Sequence, residues 1–383
     1  MTKIIFIRHE PLTQHIFNFF SINLLIERNY EIEYWDLTAV CFPELKLYNE
    51  EEYTIVKKVS NLNQLSQMLN TAPKDAFYLV DVFFNWHNRN LFKLLKKHDL
   101  YYVHLNLFSD SVLPISKWKY IEFNFKSIFN FGKKAYNKAR MFIYTQIYKI
   151  NIYKAHFNSL TSANKEGYDY YLNHPDYDLF LRSINDEVLE KEKYAVFLDE
   201  FFPLHPDIKH MLKLDLEQYA DDYRASLNRF FDRIEKEFGL KVIIAAHPKA
   251  KYTSQDFGGR KIITGKTLSL VEKSDLVIAH GSSSINFAVL NQKPIIFCYN
   301  EVYKKVKFVY LTTKYHAKVL NSKIIDTDKI LSGLMVNNFI LDIEAYNNYK
   351  YTYLTSKNTE NMLNIDLLEK HFLQLKQKTI ESI

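Results

Sequence analysis

Three short polar motifs follow hydrophobic stretches in the second half of the chain, and their side chains suit a phosphate. Asp199–Glu200 ends the stretch YAVFLDE, His247–Pro248 ends KVIIAAHP, and His280–Ser284 opens the segment HGSSSINFAVL. If the hydrophobic stretches are neighbouring parallel strands, their carboxyl ends share one edge and the motifs converge there. A helix start lined with hydroxyls offers N–H and O–H donors to an anion. Serine is also an ordinary helix N-cap, so the convergence carries more weight than any single motif.

A carboxylate pair, a histidine fixed before a proline and a hydroxyl-rich helix start together favour a site for a sugar nucleotide. In that site His247 is expected to donate a hydrogen bond or a proton to the departing phosphate. Lys249, Lys251 and Lys266 could neutralise a phosphate or a donor carboxylate. The residues expected to bind the nucleotide sugar are Glu200, His247, Pro248, Lys249, Thr264, Gly265, His280, Gly281, Ser282, Ser283, Ser284 and Asn286.

A second polar cluster follows the first hydrophobic stretch, KIIFI, and contains Arg8, His9 and Glu10. A sugar transfer that inverts the anomeric centre needs a base to deprotonate the acceptor hydroxyl. Glu10 is the base that we expect, and His9, Asp81 and Asp110 are the alternatives. An ion pair with Arg8, or a helix N-cap role, would instead make Glu10 structural.

The hydrophobic pattern alternates between strand-like and helix-like stretches along most of the chain, which predicts an α/β fold with doubly wound parallel sheets. A chain of 383 residues is expected to form about two domains. We place an N-terminal acceptor-binding domain at residues 1–190 and a nucleotide-sugar-binding domain at residues 191–340. The helical tail, residues 341–383, could cross back to the first domain.

The composition is that of a folded protein with mild positive charge. The chain is 47% hydrophobic and 16% aromatic, and its formal net charge is +6. This charge is compatible with an anionic ligand or a membrane surface and gives no indication of nucleic acid as a partner. With only Cys41 and Cys298, no disulfide framework is expected, and a reducing cytoplasm is the expected compartment. We expect neither a signal peptide nor a membrane-spanning segment.

The segment from residue 116 to residue 154 is both basic and aromatic. It carries nine lysines or arginines and a single acid, Glu122. Apolar residues at helical spacing (Ile128, Phe131, Ala135, Ala139, Phe142 and Ile147) suit one face of a helix. Such a segment can lie on the anionic inner face of a membrane, or it can pack on its own domain with a solvated basic face. The pattern leaves both interpretations open.

No metal site is expected. The tripeptide DYD at Asp176–Asp178 imitates a metal-binding DxD motif, but it follows a His-Pro turn and not a hydrophobic strand. We therefore interpret it as accidental, and no cofactor is expected other than the donor nucleotide sugar.

The stretch VIIAAHPK, followed by AHGSSSINFAVLNQKPIIF, resembles the C-terminal half of GT-B glycosyltransferases of bacterial surface-polysaccharide pathways. It is most similar to those that use CMP-activated acids, namely bacterial sialyltransferases and polysialyltransferases and the capsule Kdo transferases. Their HP and SS motifs place a histidine and serines on the nucleotide phosphate. The match assigns HP to His247–Pro248 and SS to a pair within Ser282–Ser284. The resemblance covers residues 194–300.

This resemblance implies two Rossmann-like domains facing across a cleft, with no bound metal. It also implies transfer of a CMP-activated nonulosonic acid or Kdo to a capsule, lipooligosaccharide or O-antigen acceptor at the inner face of the cell membrane. The stretch VFLDEFFPLHPD resembles a Kdo-group strand that ends in Asp-Gln, where this chain has Asp199–Glu200. If the enzyme retains the anomeric configuration by double displacement, as the resemblance allows, Asp199 is the nucleophile.

Other functions on the same scaffold remain open. CDP-glycerol phosphotransferases of teichoic acid synthesis share a comparable His-Pro and serine pattern, and a UDP-sugar transferase of the same fold fits it as well. A non-catalytic binding subunit with a GT-B-like fold is the alternative from outside the enzymes, because a fold does not fix a function.

Overall fold

The computed structural model describes residues 2–43, 53–106, 125–159, 170–183, 192–210, 212, 214–329 and 341–381. The candidate base Asp110 and residues 116–124 of the basic segment lie outside this part of the chain. Two compact units are present. Unit 1 comprises the described residues up to Pro175 together with those from Thr359 onwards, and unit 2 comprises those from Asp176 to Asn358.

Unit 1 is built on a seven-stranded parallel sheet of order β3-β2-β1-β4-β5-β6-β7. The strands are β1 (Lys3–Arg8), β2 (Glu31–Asp36), β3 (Val56–Lys58), β4 (Phe77–Asp81), β5 (Tyr102–Asn106), β6 (Tyr153–Ser159) and β7 (Tyr170–Leu172). The helices are α1 (Gln14–Phe19), α2 (Ile22–Glu27), α3 (Thr38–Cys41), α4 (Leu62–Thr71), α5 (Arg89–His98) and α6 (Phe125–Tyr148). The C-terminal helix α15 (Asn364–Glu381) also belongs to this unit.

Unit 2 has a six-stranded parallel sheet of order β10-β9-β8-β11-β12-β13. Its strands are β8 (Tyr194–Leu198), β9 (Lys241–Ala246), β10 (Ile262–Thr264), β11 (Leu276–Ala279), β12 (Ile295–Tyr299) and β13 (Lys323–Asp326). Its helices are α7 (Pro175–Arg182), α8 (Pro206–His210), α9 (Ala220–Phe238), α10 (Thr267–Lys273), α11 (Ile285–Leu290), α12 (Glu301–Lys304), α13 (Lys307–Val319) and α14 (Ile343–Tyr349). Short 3₁₀ helices at Glu217–Tyr219 and Ser254–Phe257 and a π-helix at Lys350–Leu354 complete it.

The strands are continuous apolar runs because both faces of each sheet are covered, so alternate residues enter cores on opposite sides. In β1, Ile4 and Phe6 join the core on one side of the sheet, while Ile5 and Ile7 join the core on the other. The strand β8 divides its residues between two cores in the same way. Parallel strands buried on both faces read as unbroken hydrophobic runs, so the predicted doubly wound α/β architecture is confirmed.

The units divide at a different place from the expected boundary near residue 190. Tyr177 of α7 is buried in a core of unit 2, with Leu179 and Leu181 packed against it, so unit 2 begins before its first strand. The tail is also divided. Tyr346 of α14 is buried in that same core, whereas Phe372 of α15 stacks on Phe77 in unit 1 with ring centroids 4.3 Å apart.

Each sheet reverses its strand order at one point. In unit 1 the order reverses between β1 and β4, and in unit 2 it reverses between β8 and β11. Ligands of open parallel sheets bind beyond the carboxyl ends of the strands at such points. Arg8 pairs with Asp81 in the register of the first sheet, and Leu198 pairs with Ala279 in that of the second. The polar motifs identified from the sequence therefore follow the strands at both reversal points.

Candidate functional site

The carboxyl edge of the unit 2 sheet brings together three of the predicted motifs. The strands β8, β9 and β11 are neighbours, so Asp199–Glu200, His247–Pro248 and Gly281–Ser284 follow adjacent strand ends. Their convergence follows from the strand order. The roles of the individual side chains follow from their contacts.

Asp199 is buried and joins the loops that follow β8 and β9. Its Oδ2 accepts a hydrogen bond from the backbone N–H of His247 at 3.1 Å, and its Oδ1 accepts from the N–H of Phe201 at 3.0 Å. The hydroxyl of Tyr252 donates to the same Oδ1 at 3.1 Å. Burial raises the pKa of Asp199 to about 6, and these three hydrogen bonds oppose the rise.

These contacts favour a structural role for Asp199 over the expected role as nucleophile. Both carboxylate oxygens accept hydrogen bonds from the protein, and the residue is only 6% exposed. A nucleophile must present an oxygen lone pair to the anomeric carbon, whereas Asp199 uses its oxygens to hold the backbone of His247. Tyr252, which the sequence analysis did not identify, belongs to this arrangement.

We expect Asp199→Asn to lower stability. An amide presents one oxygen, so the N–H of either His247 or Phe201 loses its acceptor, at a cost of about 1–3 kcal/mol in the free energy of unfolding. Urea unfolding measures this cost. Asp221→Asn is the matched control, because the Asp221 side chain is 96% exposed and its loss should change stability by less than about 1 kcal/mol. An Asp199→Asn protein of unchanged stability, together with a covalent sugar adduct on Asp199 of the wild type, would restore the nucleophile role.

Glu200 lies at the strand reversal, between β8 and the loop after β11. Its Oε2 accepts a hydrogen bond from the hydroxyl of Tyr303 at 2.9 Å. Burial raises the pKa of Glu200 to about 7. Tyr303 also accepts from the N–H of Gly281 at 3.3 Å, so this tyrosine of α12, which the sequence did not single out, positions two predicted site residues.

His247 lies half-buried at the end of β9 in a tight turn. Its Nδ1 accepts a hydrogen bond from the backbone N–H of Lys249 at 3.2 Å, so the neutral ring carries its proton on Nε2. The ring lies parallel to that of Phe201 and edge-on to His205, with centroids 6.4 Å and 4.9 Å away. Pro248 and the side chain of Lys249 are exposed. The turn thus fixes His247 as an Nε2–H donor at the edge of the sheet.

The three serines differ in their contacts. Ser282 Oγ accepts a hydrogen bond from the N–H of Ser284 at 3.2 Å within the turn that precedes α11, while Ser284 occupies the N-cap position without a side-chain cap. Ser283 is exposed, and Ser284 is partly exposed at the N-cap of α11. Ser283 is therefore the serine hydroxyl best placed to meet a ligand in solvent.

Two predicted ligand contacts are corrected by the structure. His280 is fully buried, with Nδ1 2.6 Å from the carbonyl of Cys298 and Nε2 2.7 Å from the hydroxyl of Tyr223. Burial lowers the pKa of His280 to about 4, so the ring is a neutral part of the core. Asn286 is also buried, where it donates to Asp176 and accepts from Tyr349. Because both side chains are buried and bonded within the protein, neither is placed to contact a nucleotide sugar at the carboxyl edge of the unit 2 sheet.

A cavity of about 490 Å³ lies along β10 and beside the carboxyl end of β9. Its lining residues are Ala246, Ala250, Lys251, Tyr252, Ser254, Gly259, Arg260, Lys261, Ile262 and Thr264. The volume lies within the range of small-molecule sites. Thr264 is a predicted binding residue, and Gly265 after it has φ +77°, a conformation that favours glycine. Arg260 was missed by sequence reasoning. It pairs with Asp232 and Glu235, and so shapes the cavity wall.

The cluster at the strand reversal of unit 1 is organised around a buried arginine. Arg8 is fully buried, forms an ion pair with Asp81 at 2.9 Å, and lies over the ring of Phe20 at 4.5 Å. It also forms an ion pair with Glu10, whose side chain is 40% exposed. Glu10, the residue expected to be the base, therefore has the structural role considered as its alternative, an ion pair with Arg8.

His9 is a second candidate for the base, with a ring that the backbone orients, although the residue is only 9% exposed. Its Nδ1 lies 2.7 Å from the backbone carbonyl of Asp81. A carbonyl only accepts hydrogen bonds, so Nδ1 carries the proton of the neutral ring and Nε2 carries the lone pair. The ring lies against Phe83, with centroids 4.3 Å apart, and Phe83 is 54% exposed.

The DYD tripeptide takes part in the structure of α7. Asp176 accepts the hydrogen bond of Asn286 at 2.8 Å, and Asp178 pairs with Arg182 one turn later at 3.0 Å. Within the described ranges, no three His, Cys, Asp or Glu side chains are grouped in a way that could hold a metal ion.

No protein-family model matches the chain, and no curated protein matches its sequence. Solved structures resemble it at low identity. The glycosyltransferase SnogD from Streptomyces nogalater is 11% identical, with a TM-score of 0.47 over 92% of this chain and 94% of that one. The wall teichoic acid polymerase TagF, as its H444N variant, is 12% identical with a TM-score of 0.48 over 98% and 90%. A co-structure of MnaA from S. aureus with UDP is 12% identical with a TM-score of 0.47 over 98% of both chains.

Proposed function

We propose that this protein is a GT-B glycosyltransferase that needs no metal and moves a sugar from a nucleotide donor to a glycan or glycolipid acceptor. The observation that supports this most is the position of the polar clusters. Each parallel sheet has one at the point where its strand order reverses, and such points are the ordinary ligand sites of doubly wound sheets. The proposed reaction class rests on the chemistry of the two clusters.

Unit 2 is the proposed donor-binding unit. The Nε2–H of His247 and the exposed Ser283 would meet the phosphate, and the cavity bounded by Ala246 and Thr264 would hold the nucleoside. As the bond between sugar and phosphate breaks, negative charge grows on the phosphate oxygens. A donor already fixed by the protein stabilises that charge without reorganisation, which is the role proposed for His247.

Unit 1 is the proposed source of the base. The Nε2 of His9 would accept the proton of the acceptor hydroxyl, while its Nδ1–H remains bound to the carbonyl of Asp81. The resulting imidazolium would be stabilised by that carbonyl. Direct attack by the acceptor inverts the configuration of the anomeric carbon. This mechanism needs no protein nucleophile, so it is compatible with Asp199 holding the backbone of His247.

CMP is the nucleotide that we propose, carrying a nonulosonic acid or Kdo, because the His-Pro and serine motifs resemble those of CMP-sugar enzymes. UDP-sugars are the competing donors, since UDP is the nucleotide bound to MnaA in its co-structure. The acceptor is proposed to be a surface glycan under construction at the inner face of the cell membrane, with the enzyme on the cytoplasmic side.

Thermal unfolding in the presence of nucleotides tests the proposed donor. A ligand at about 100 times its Kd stabilises the native state by about 2.7 kcal/mol, so CMP should raise the melting temperature measurably. The rise should persist when EDTA is added. Stabilisation by UDP but not CMP would exclude the CMP-sugar assignment and retain the transferase. No response to CMP, CDP or UDP would contradict the proposed function of unit 2.

A further inference from the structure

The outward face of helix α6 is apolar, although the helix lies on the surface of unit 1. Tyr136, Phe142, Ile143 and Ile147 are 63%, 65%, 56% and 68% exposed. At about 100° per residue, they span roughly 140° of the helix circumference. Ala135 and Ala139 lie within the same arc and are also exposed, as is one polar residue, Gln146. We call this surface the α6 apolar face.

The opposite side of α6 holds the helix on the unit. Met141 is 6% exposed, and Tyr144 packs edge-on against Trp86 with ring centroids 5.8 Å apart. The hydroxyl of Tyr144 donates to Asn90 at 3.3 Å. The interpretation of α6 as a helix that buries its apolar residues and exposes a basic face is therefore wrong for the described part of the helix.

Positive charge lies next to the α6 apolar face. Lys138 and Lys149 are exposed beside one edge of the arc. Arg140 lies beside the other edge, over the ring of Trp86 at 3.7 Å. The neighbouring helix α5 packs on the opposite side of α6, where Lys93 lies over the ring of Tyr148 at 3.9 Å. Neither helix contains an aspartate or glutamate.

We propose that the α6 apolar face is a membrane-docking surface, with its apolar side chains in the acyl boundary and its basic flanks on anionic lipid headgroups. A wide apolar arc between cationic edges is the geometry of helices that lie in the membrane interface. A second copy of the chain fits less well, because pairing two such faces would oppose basic helices that carry no acids. This inference rests on the proposed location at the inner membrane face.

The location also suits an acceptor held on lipid. A surface docked through α6 keeps unit 1, the proposed acceptor-binding unit, at the headgroup level. No described helix is both long enough and apolar enough to span a bilayer.

Flotation of the full chain with vesicles tests the proposal, without donor or acceptor, so that failure here leaves the transferase proposal untouched. We expect binding to phosphatidylglycerol–phosphatidylcholine vesicles and weaker binding to phosphatidylcholine alone, with a further loss at high salt. The triple variant F142S/I143S/I147S should bind about tenfold less or weaker still, with the melting temperature of the wild type. L373S is the matched control, because Leu373 is 63% exposed on α15 of the same unit, and it should bind as the wild type.

The charge and the alternative occupants are tested separately. The K138Q/K149Q variant should lose about fivefold in binding for each lysine on anionic vesicles only. Equal flotation of the wild type and the triple variant would overturn the proposal. The proposal would also be overturned if the wild type formed a stable dimer by light scattering and did not bind vesicles, and if the triple variant were monomeric. Binding of the face to an acidic protein, with no affinity for anionic lipid, would overturn it too.

Discussion

Replacing His9 with asparagine should reduce sugar transfer by about 10²–10⁴-fold while the protein stays folded. The Nδ2–H of asparagine can replace the histidine Nδ1–H as donor to the carbonyl of Asp81, which lies 2.7 Å from Nδ1. What the variant lacks is a basic nitrogen in place of Nε2. Single-turnover rates with saturating donor, together with the melting temperature, measure the effect.

Glu10→Gln is the matched control for that experiment. Glutamine keeps the size of Glu10 and removes its charge, while Arg8 keeps its ion pair with Asp81. Transfer by Glu10→Gln should therefore stay within a few-fold of the wild type. If Glu10→Gln is inactive and His9→Asn is active, Glu10 is the base, as the sequence alone suggested, and the assignment made from the contacts of His9 is wrong.

Replacing His247 with asparagine should cost about 10²–10³-fold in turnover, the typical loss of one preorganised donor to a developing charge. The asparagine Oδ1 can accept the hydrogen bond that Lys249 now donates to Nδ1 at 3.2 Å, so the turn is preserved. The Nε2–H is lost. Donor affinity should change less than turnover, because the interaction strengthens as the phosphate leaves.

His205→Asn is the control for this second variant. Its ring lies edge-on to that of His247, with centroids 4.9 Å apart, but it has no proposed contact with the phosphate. It should retain most of the turnover. A His247→Asn protein that loses activity and also melts far below the wild type would show that the His-Pro pair is structural.

The strands and their polar carboxyl ends could be predicted from the sequence because both depend on local pattern, whereas the strand order that sets the reversal points depends on non-local pairing. The strands β1 and β8 are unbroken apolar runs that end abruptly in charged residues, at Arg8 and Asp199. A run buried on both faces and followed by polar residues indicates a parallel strand with a functional end. Helical periodicity likewise identified the apolar face of α6.

The orientation of individual side chains could not be predicted in the same way. His280 belongs to the same motif as Ser283, yet it points into the core because Tyr303 stacks on it at 4.3 Å and Tyr223 bonds to it. Those tyrosines come from α12 and α9, far away in the sequence. Periodicity also could not tell which way the apolar face of α6 points, since that depends on its packing against Trp86 and α5.

The boundary between the units was missed for a related reason. The helix α7 is linked by sequence to the first unit, and only the burial of Tyr177 against the second sheet assigns it to unit 2. The C-terminal residues were divided by similar packing, with Phe372 against Phe77. Such choices depend on which exposed apolar surface each helix covers.

The most direct test of the proposed function is the release of nucleotide from labelled CMP- and UDP-sugars in the presence of surface-glycan acceptors. The wild type should release one nucleotide for each sugar that appears on the acceptor, in EDTA as well as without it, and His9→Asn and His247→Asn should both be strongly impaired. A wild-type protein that binds a nucleotide but transfers sugar from none of these donors, with either variant indistinguishable from it, would contradict the assignment as a glycosyltransferase.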